Sequence, residues 1–395
     1  MYSNTQQATE KLFNQKIFIF FLSLFISSLF LLSSCSDNSS SIDPEIRKIL
    51  EQILSENLEE FNVPGALVGV WISGEGRLII EEGTSDVDDD KPIVKEDHVR
   101  IGSVTKSLTV NVILQLVGEN LLSLDDPLSK FFPDIKNSNT TVRELSNMRS
   151  GIFNYTEDTD FSGAILDNLL TKFTEQDLVD VGDRNLPYFS PGGGWHYSNT
   201  NTVILGMIVE QVTGNSLGEE IQNRIIIPLG LEGTSYPDTP DMPLPFSNGY
   251  IFLGPDDGFS EVTFVDPSLS AGSGAMISRL EDLRIWVEAL GQGTLLEHDI
   301  YQEQIASLSP IIFDPCDDVV ESREKRICPE YDKYGLGIGE ISGWIGHTGE
   351  YIGFTSLVMY KPESGSVVVI LMNIFGAGEH VPTKVFREFT EILNN

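Results

Sequence analysis

Gly102-Ser103-Val104-Thr105-Lys106 stands just before an apolar run, residues 108–116, and together they read as one buried helix that begins near the serine. A serine on the first turn of such a helix lies at the positive end of its dipole. A lysine three residues on returns to the same face one turn later, within hydrogen-bond reach of the hydroxyl. Buried and deprotonated, that amine can take the hydroxyl proton and so create a nucleophile. The spacing alone is weak evidence. It recurs at Ser322 and Lys325 in a charged segment, and an ordinary helix cap accounts for Ser103 as readily.

Downstream segments change that balance. Phe189-Ser190-Pro191-Gly192-Gly193-Gly194-Trp195-His196-Tyr197-Ser198-Asn199-Thr200 is a glycine loop leading into a helix over 202–212, which puts Tyr197 and Asn199 on a constrained turn. The tyrosine hydroxyl can relay a proton to a leaving group, and the asparagine amide can hold both a lysine and a substrate amide. A helix cap beside a packed ring is the alternative. Gly346-His347-Thr348-Gly349 then precedes a strand expected from Tyr351. Its paired glycines let the backbone approach a ligand, and the histidine faces whatever binds along that edge.

Ser103-x-x-Lys106, Tyr197-x-Asn199 and His347-Thr348-Gly349, in that order, resemble the motifs of the serine β-lactamase and penicillin-binding D,D-peptidase family. The tyrosine-led second motif is similar to class C β-lactamases and D,D-carboxypeptidases. Histidine in place of lysine in the third is more like certain carboxypeptidases. Leu124-Asp125-Asp126-Pro127, Thr141-Val142-Arg143-Glu144-Leu145, Arg149-Ser150-Gly151, Pro228-Leu229-Gly230-Leu231 and Tyr334-Gly335-Leu336-Gly337 resemble its connecting segments, so the likeness covers most of residues 60–375.

The resemblance implies that Ser103 attacks a carbonyl to form an acyl-enzyme while Lys106 and Tyr197 move the protons. The backbone N–H groups of Ser103 and Glu350 would hold the oxyanion, and Asn199, His347, Thr348 and Gly349 would meet the substrate. No cofactor and no metal is implied, and the 5 histidines are too scattered to suggest a metal cluster. The activity implied first is a D-alanyl-D-alanine carboxypeptidase acting on peptidoglycan peptides. Residues 335–360 contain no lysine or arginine, so a terminal carboxylate would have to be met by Arg279 or Lys333. An esterase, an amidase or an aminopeptidase-like enzyme acting on a small ester or amide needs no such contact. A class C-like β-lactamase must in addition deacylate fast. The alternative outside catalysis is a lipid-tethered binding protein that has lost its chemistry.

Outward from these motifs, Asp43-Pro44 opens an amphipathic helix that runs to Pro64, and residues 66–72 and 77–81 form a hairpin across Gly74-Glu75-Gly76. Asp86-Val87-Asp88-Asp89-Asp90 lacks the glycine a calcium loop needs at its sixth position, Lys91, and reads as a solvated loop. Short helices joined by Pro, Gly and Asn loops, without strands, fill about 116–269. Strands return at 335–341, 351–360 and 366–372, and a helix over 382–393 closes the chain. The fold class is therefore α/β in the α+β sense: an antiparallel sheet flanked by terminal helices, with an all-helical lobe inserted mid-chain, β-lactamase/transpeptidase-like.

Among 395 residues, 59 acids against 25 bases give a net charge of −34, which repels nucleic acid and anionic lipid headgroups. Lys11 and Lys16 precede an apolar run over 17–32, the layout of a secretory signal, and at the short edge of what spans a bilayer the run leaves a permanent membrane anchor as the alternative. Leu32-Ser33-Ser34-Cys35 resembles the bacterial lipobox. Residues 1–34 are thus expected to be a lipoprotein signal, 35–42 a lipid-attached polar tether on Cys35, and 43–395 an exported, monomeric hydrolase domain in the cell envelope. In that oxidising compartment Cys316 and Cys328 are the natural disulfide pair.

Overall fold

The computed structural model describes residues 42–311 and 330–394. Asp43 caps helix α1 (Pro44–Glu60), its carboxylate accepting from the Glu45 N–H at 2.7 Å, and the buried Leu50, Leu54 and Leu58 line one face. Strands β1 (Gly65–Ile72) and β2 (Gly76–Asp86) form the expected hairpin, with β2 longer than its apolar signal. Helix α2 (Thr105–Gly118) follows the serine motif, and helix α3 (Asn199–Thr213) follows the tyrosine motif. Helix α4 (Leu280–Gln292) precedes the closing strands β3 (Gly339–Ile341), β4 (Trp344–Tyr351), β5 (Phe354–Lys361) and β6 (Ser366–Met372). Helix α5 (Val381–Leu393) ends the chain.

Among the described residues, one antiparallel sheet of nine strands joins segments from both halves of the sequence. From edge to edge it runs 91–92, β2, β1, β6, β5, β4, β3, 333–334, 309–310. Side chains of successive strand residues point to opposite faces. Leu67, Val358, Val369 and Leu371 therefore join a core with α2, α3 and α4, while Val68, Val70, Leu357 and Ile370 join a second core with α1 and α5. Strand β6 is buried on both faces, which is why Ser366-Val367-Val368-Val369-Ile370-Leu371-Met372 is almost uniformly apolar.

The expected helical lobe ends sooner than residue 269. Tyr250–Gly254 and Gly258–Glu261 pair as a hairpin, and Ile374–Phe375 adds to it in parallel. Pro255-Asp256-Asp257 is turn chemistry between two short aromatic runs, a signal masked by the surrounding loops. The third motif does not precede a strand. It lies inside β4, because its glycines pack against neighbouring chain instead of ending the ladder. The single strand expected over 351–360 is split by the Ile352-Gly353 turn, and the one over 335–341 shrinks to β3 plus Lys333–Tyr334. Asp86–Asp90 is a turn in which the Asp86 carboxylate accepts from the N–H groups of Asp88 and Asp89. The signal segment, Cys35, the Cys316 and Cys328 pair, Ser322 and Lys325 lie outside the described residues.

Candidate active site

Ser103 sits on a 3₁₀ turn, Gly102–Val104, that leads directly into α2. Helix α2 is apolar or small on nearly every side, because it runs through the core between the sheet, α3 and α4. Lys106 is consequently fully buried, and desolvation holds its pKa well below that of an ordinary lysine. Its Nζ lies 2.9 Å from Ser103 Oγ, 2.6 Å from Asn199 Oδ1 and 2.7 Å from the Ser273 carbonyl. A neutral amine has two N–H groups and one lone pair. Asn199 Oδ1 and the Ser273 carbonyl can only accept, so they take both hydrogens and leave the lone pair for the Ser103 hydroxyl.

Asn199 is the first residue of α3. Its N–H donates to Asn154 Oδ1 at 3.0 Å and its Nδ2 to Thr156 Oγ1 at 3.0 Å, which fixes the amide with its oxygen toward Lys106. Tyr197 interacts with the Ser103 side chain, and its ring centroid is 4.9 Å from Lys106 Nζ. Burial, with Tyr334 and Tyr331 close by, keeps the Tyr197 hydroxyl protonated by raising its pKa well above the usual value. Burial thus opposes charge on both Lys106 and Tyr197, the two ionisable side chains beside Ser103.

On the far side stands β4. The two-residue turn Ser342-Gly343 makes Ile341 and Trp344 a closing pair, so Trp344, Gly346, Thr348 and Glu350 turn their backbone groups toward β3. Beyond Gly346 no described strand pairs with that edge. The Thr348 N–H donates to Tyr331 Oη at 2.8 Å, and the Glu350 N–H is directed to the same open side. Gly102, at φ +50°, and Gly349 bring this strand against the serine turn. A Cβ on Gly102 would lie 2.5 Å from the Glu350 carbonyl oxygen, and one on Gly349 would lie 2.1 Å from the Ile101 carbonyl oxygen. The glycines serve contact between two segments of this chain.

His347 is also fully buried. Its Nδ1 donates to the Thr348 carbonyl at 2.6 Å, so its Nε2 accepts from Tyr334 Oη at 3.0 Å, and Tyr331 Oη lies 3.0 Å from Nδ1. Desolvation lowers its pKa to about 3. The ring is therefore a neutral structural link to two tyrosines, with no nitrogen left over for a substrate.

The beta-lactamase sequence family matches residues 50–388. This chain belongs to the beta-lactamase family. The D-stereospecific amidohydrolase from Streptomyces sp. is similar in structure, with a TM-score of 0.73 and 31% identity over 88% of this chain and 99% of that one. Protein flp of Staphylococcus aureus (strain N315) is 25% identical over 88% of this chain and 66% of its own length, so this chain spans slightly under two thirds of that relative. The D-aminopeptidase of Brucella anthropi is 32% identical over 193 residues, 48% of this chain and 36% of that protein.

Sequence reasoning named Ser103, Lys106, Tyr197 and Asn199, and the fold brings them together across 96 positions of chain, from 103 to 199. It missed the Ser273 carbonyl, Asn154, Thr156 and Tyr331. Ser270-Ala271-Gly272-Ser273-Gly274 marked a tight turn, yet nothing in it said which carbonyl would face a lysine. In the sequence Tyr334 stands only within a connecting segment.

Proposed function

We propose that the chain hydrolyses amides of D-amino acids, or releases D-amino acids from the N-terminus of short peptides, through an acyl-enzyme on Ser103. Lys106 takes the Ser103 proton as Oγ bonds to the carbonyl carbon, and the ammonium so formed is steadied by Asn199, Ser273 and the Tyr197 ring. The oxyanion is held by the N–H groups of Ser103 and Glu350, each such donor being worth about 3–4 kcal/mol of barrier. The leaving nitrogen takes the Tyr197 hydroxyl proton, which Lys106 replaces as the C–N bond breaks. Water, deprotonated along the same route, then releases the acid and frees Ser103.

The observation that carries the choice of substrate is that both cations expected to meet a terminal carboxylate are engaged with carboxylates of this chain. Glu350 follows the third motif on β4, and its carboxylate lies near His380 and Glu330: desolvation raises its pKa, His380 opposes the rise and Glu330 adds to it. Near the end of β4 these two acids disfavour a substrate carboxylate and favour an ammonium. The cations available to a carboxypeptidase are turned elsewhere: Arg279 Nε holds Asp282 at 3.0 Å, and Lys333 is paired with Glu340. His347 is neutral and enclosed. Arg323, Lys325 and Arg326 lie outside the described residues. The relatives named for D-amino-acid substrates support the same direction. D-alanyl-D-alanine carboxypeptidase activity is the second reading, supported by the Tyr-x-Asn motif.

The test compares D-phenylalanine amide, its L-enantiomer, its N-acetyl derivative and an N-acylated D-Ala-D-Ala peptide, with Ser103→Ala as background. The free D-amide should be the best substrate, with N-acetylation lowering kcat/KM by about 10- to 100-fold, the size of one charge-assisted hydrogen bond. Preferential cleavage of the acylated D-Ala-D-Ala peptide would sink this assignment and restore the carboxypeptidase. We also propose that Cys35 carries a lipid that holds the domain at a membrane surface, supported by the lipobox-like Leu32-Ser33-Ser34-Cys35.

A further inference from the structure

The last helix begins at the active site. His380, 4% exposed, is the N-cap of α5. Its Nδ1 accepts from the Thr383 N–H at 3.3 Å and lies 2.8 Å from Thr383 Oγ1. A backbone amide can only donate, so the ring proton is on Nε2. That nitrogen lies 3.1 Å from the Gly349 carbonyl oxygen and donates to it. Glu330 Oε1, 3.8 Å from Nδ1, is beyond hydrogen-bond range.

The Gly349 carbonyl and the Glu350 N–H are the two ends of one peptide group. In a trans peptide they point in opposite directions, so a donor on the carbonyl stands behind the N–H that faces the open edge beside Ser103. Hydrogen bonding to an amide oxygen draws electron density from the nitrogen, and the N–H becomes a stronger donor. The same bond resists rotation of the peptide plane, which preorganises the donor before charge develops on the substrate oxygen. Nothing about this was visible near the third motif, because His380 lies 31 positions further along the chain.

We propose that His380 is a positioning residue for the oxyanion hole, acting through the Gly349–Glu350 peptide. It touches neither substrate nor nucleophile. The proposal rests on Ser103 as the attacking residue and is independent of which acyl group the enzyme prefers.

Two variants divide the functions of the ring. His380→Asn keeps an acceptor where Nδ1 caps α5 but cannot reach Gly349, whereas His380→Gln keeps a donor toward Gly349 and gives up the cap. With p-nitrophenyl acetate as substrate, His380→Asn should lower kcat roughly 3- to 10-fold, less than loss of a whole oxyanion donor, with KM unchanged. Its affinity for phenylboronic acid, whose tetrahedral adduct occupies the oxyanion position, should weaken by a similar factor. His380→Gln should recover most of both while melting at a lower temperature than His380→Asn. If kcat and boronate affinity instead follow melting temperature across the two variants, His380 is only a cap and the proposal falls. Ser103→Ala separates the two assignments: if it retains turnover the nucleophile is wrong, and if it is inactive while His380→Asn keeps full kcat only the role of His380 is lost.

Discussion

Lys106 is a buried amine whose desolvation lowers its pKa, and that has a thermodynamic signature. Its pKa is lower in the folded chain than in the unfolded one, so between the two values the unfolded chain binds one more proton. The contribution of Lys106 to stability therefore rises with pH up to its unfolded value of about 10.4 and falls as pH drops toward the folded one. Lys106→Met should lose about 10³-fold in kcat. Its denaturation midpoint should also climb less than the parent's between about pH 7 and pH 9.5, and parallel curves would mean that Lys106 stays charged. His347 behaves differently. With a pKa of about 3 it is uncharged wherever the enzyme is stable, so His347→Gln should leave the acidic limb of the kcat/KM profile at the same pH. A moved limb would show that His347 titrates during turnover.

Elements transmit position to these residues. The serine turn and β4 meet through Gly102 against Glu350 and Gly349 against Ile101, and Ser356 Oγ donates to the Ile101 carbonyl at 2.9 Å from the next strand. Gly349→Ala would force backbone apart at the nucleophile. A stability loss of about 1–3 kcal/mol, typical of overpacking, should accompany at least a tenfold fall in kcat/KM, the usual cost of a misplaced reacting group. Gly74 makes the contrast: it has φ +80° in the β1–β2 turn, with open space around its missing Cβ. Gly74→Ala should cost about 1 kcal/mol of backbone strain and leave kcat unaltered. Thermal melts and kinetics on the two variants, measured together, distinguish a loss of positioning from a loss of stability.

Charge acts on the molecule as a whole. A net charge of −34 works against compactness, and the ion pairs on the surface, such as Arg47 with Glu51 and Lys384 with Glu388, are too exposed to offset it. Raising sodium chloride from low ionic strength should therefore raise the melting temperature, because screening weakens the acid–acid repulsion more than the scattered pairs. A falling melting temperature would assign net stability to those pairs. The proposed lipid on Cys35 predicts that in cells the parent chain fractionates with membranes and that Cys35→Ser releases it.

Legible in the sequence were Ser103, Lys106, Tyr197 and Asn199 as residues of one site, the terminal helices, the β1–β2 hairpin and the apolar closing strand. Each depends on local spacing: helical period, turn residues, or a run buried on both faces. Only the tertiary structure decided that Lys106 is enclosed, that His347 is linked to two tyrosines, that the third motif lies within a strand, and that His380 supports the peptide facing Ser103. These are consequences of packing between segments far apart in the chain, where desolvation and backbone contact depend on what the fold brings opposite, and no spacing rule within one segment carries that information.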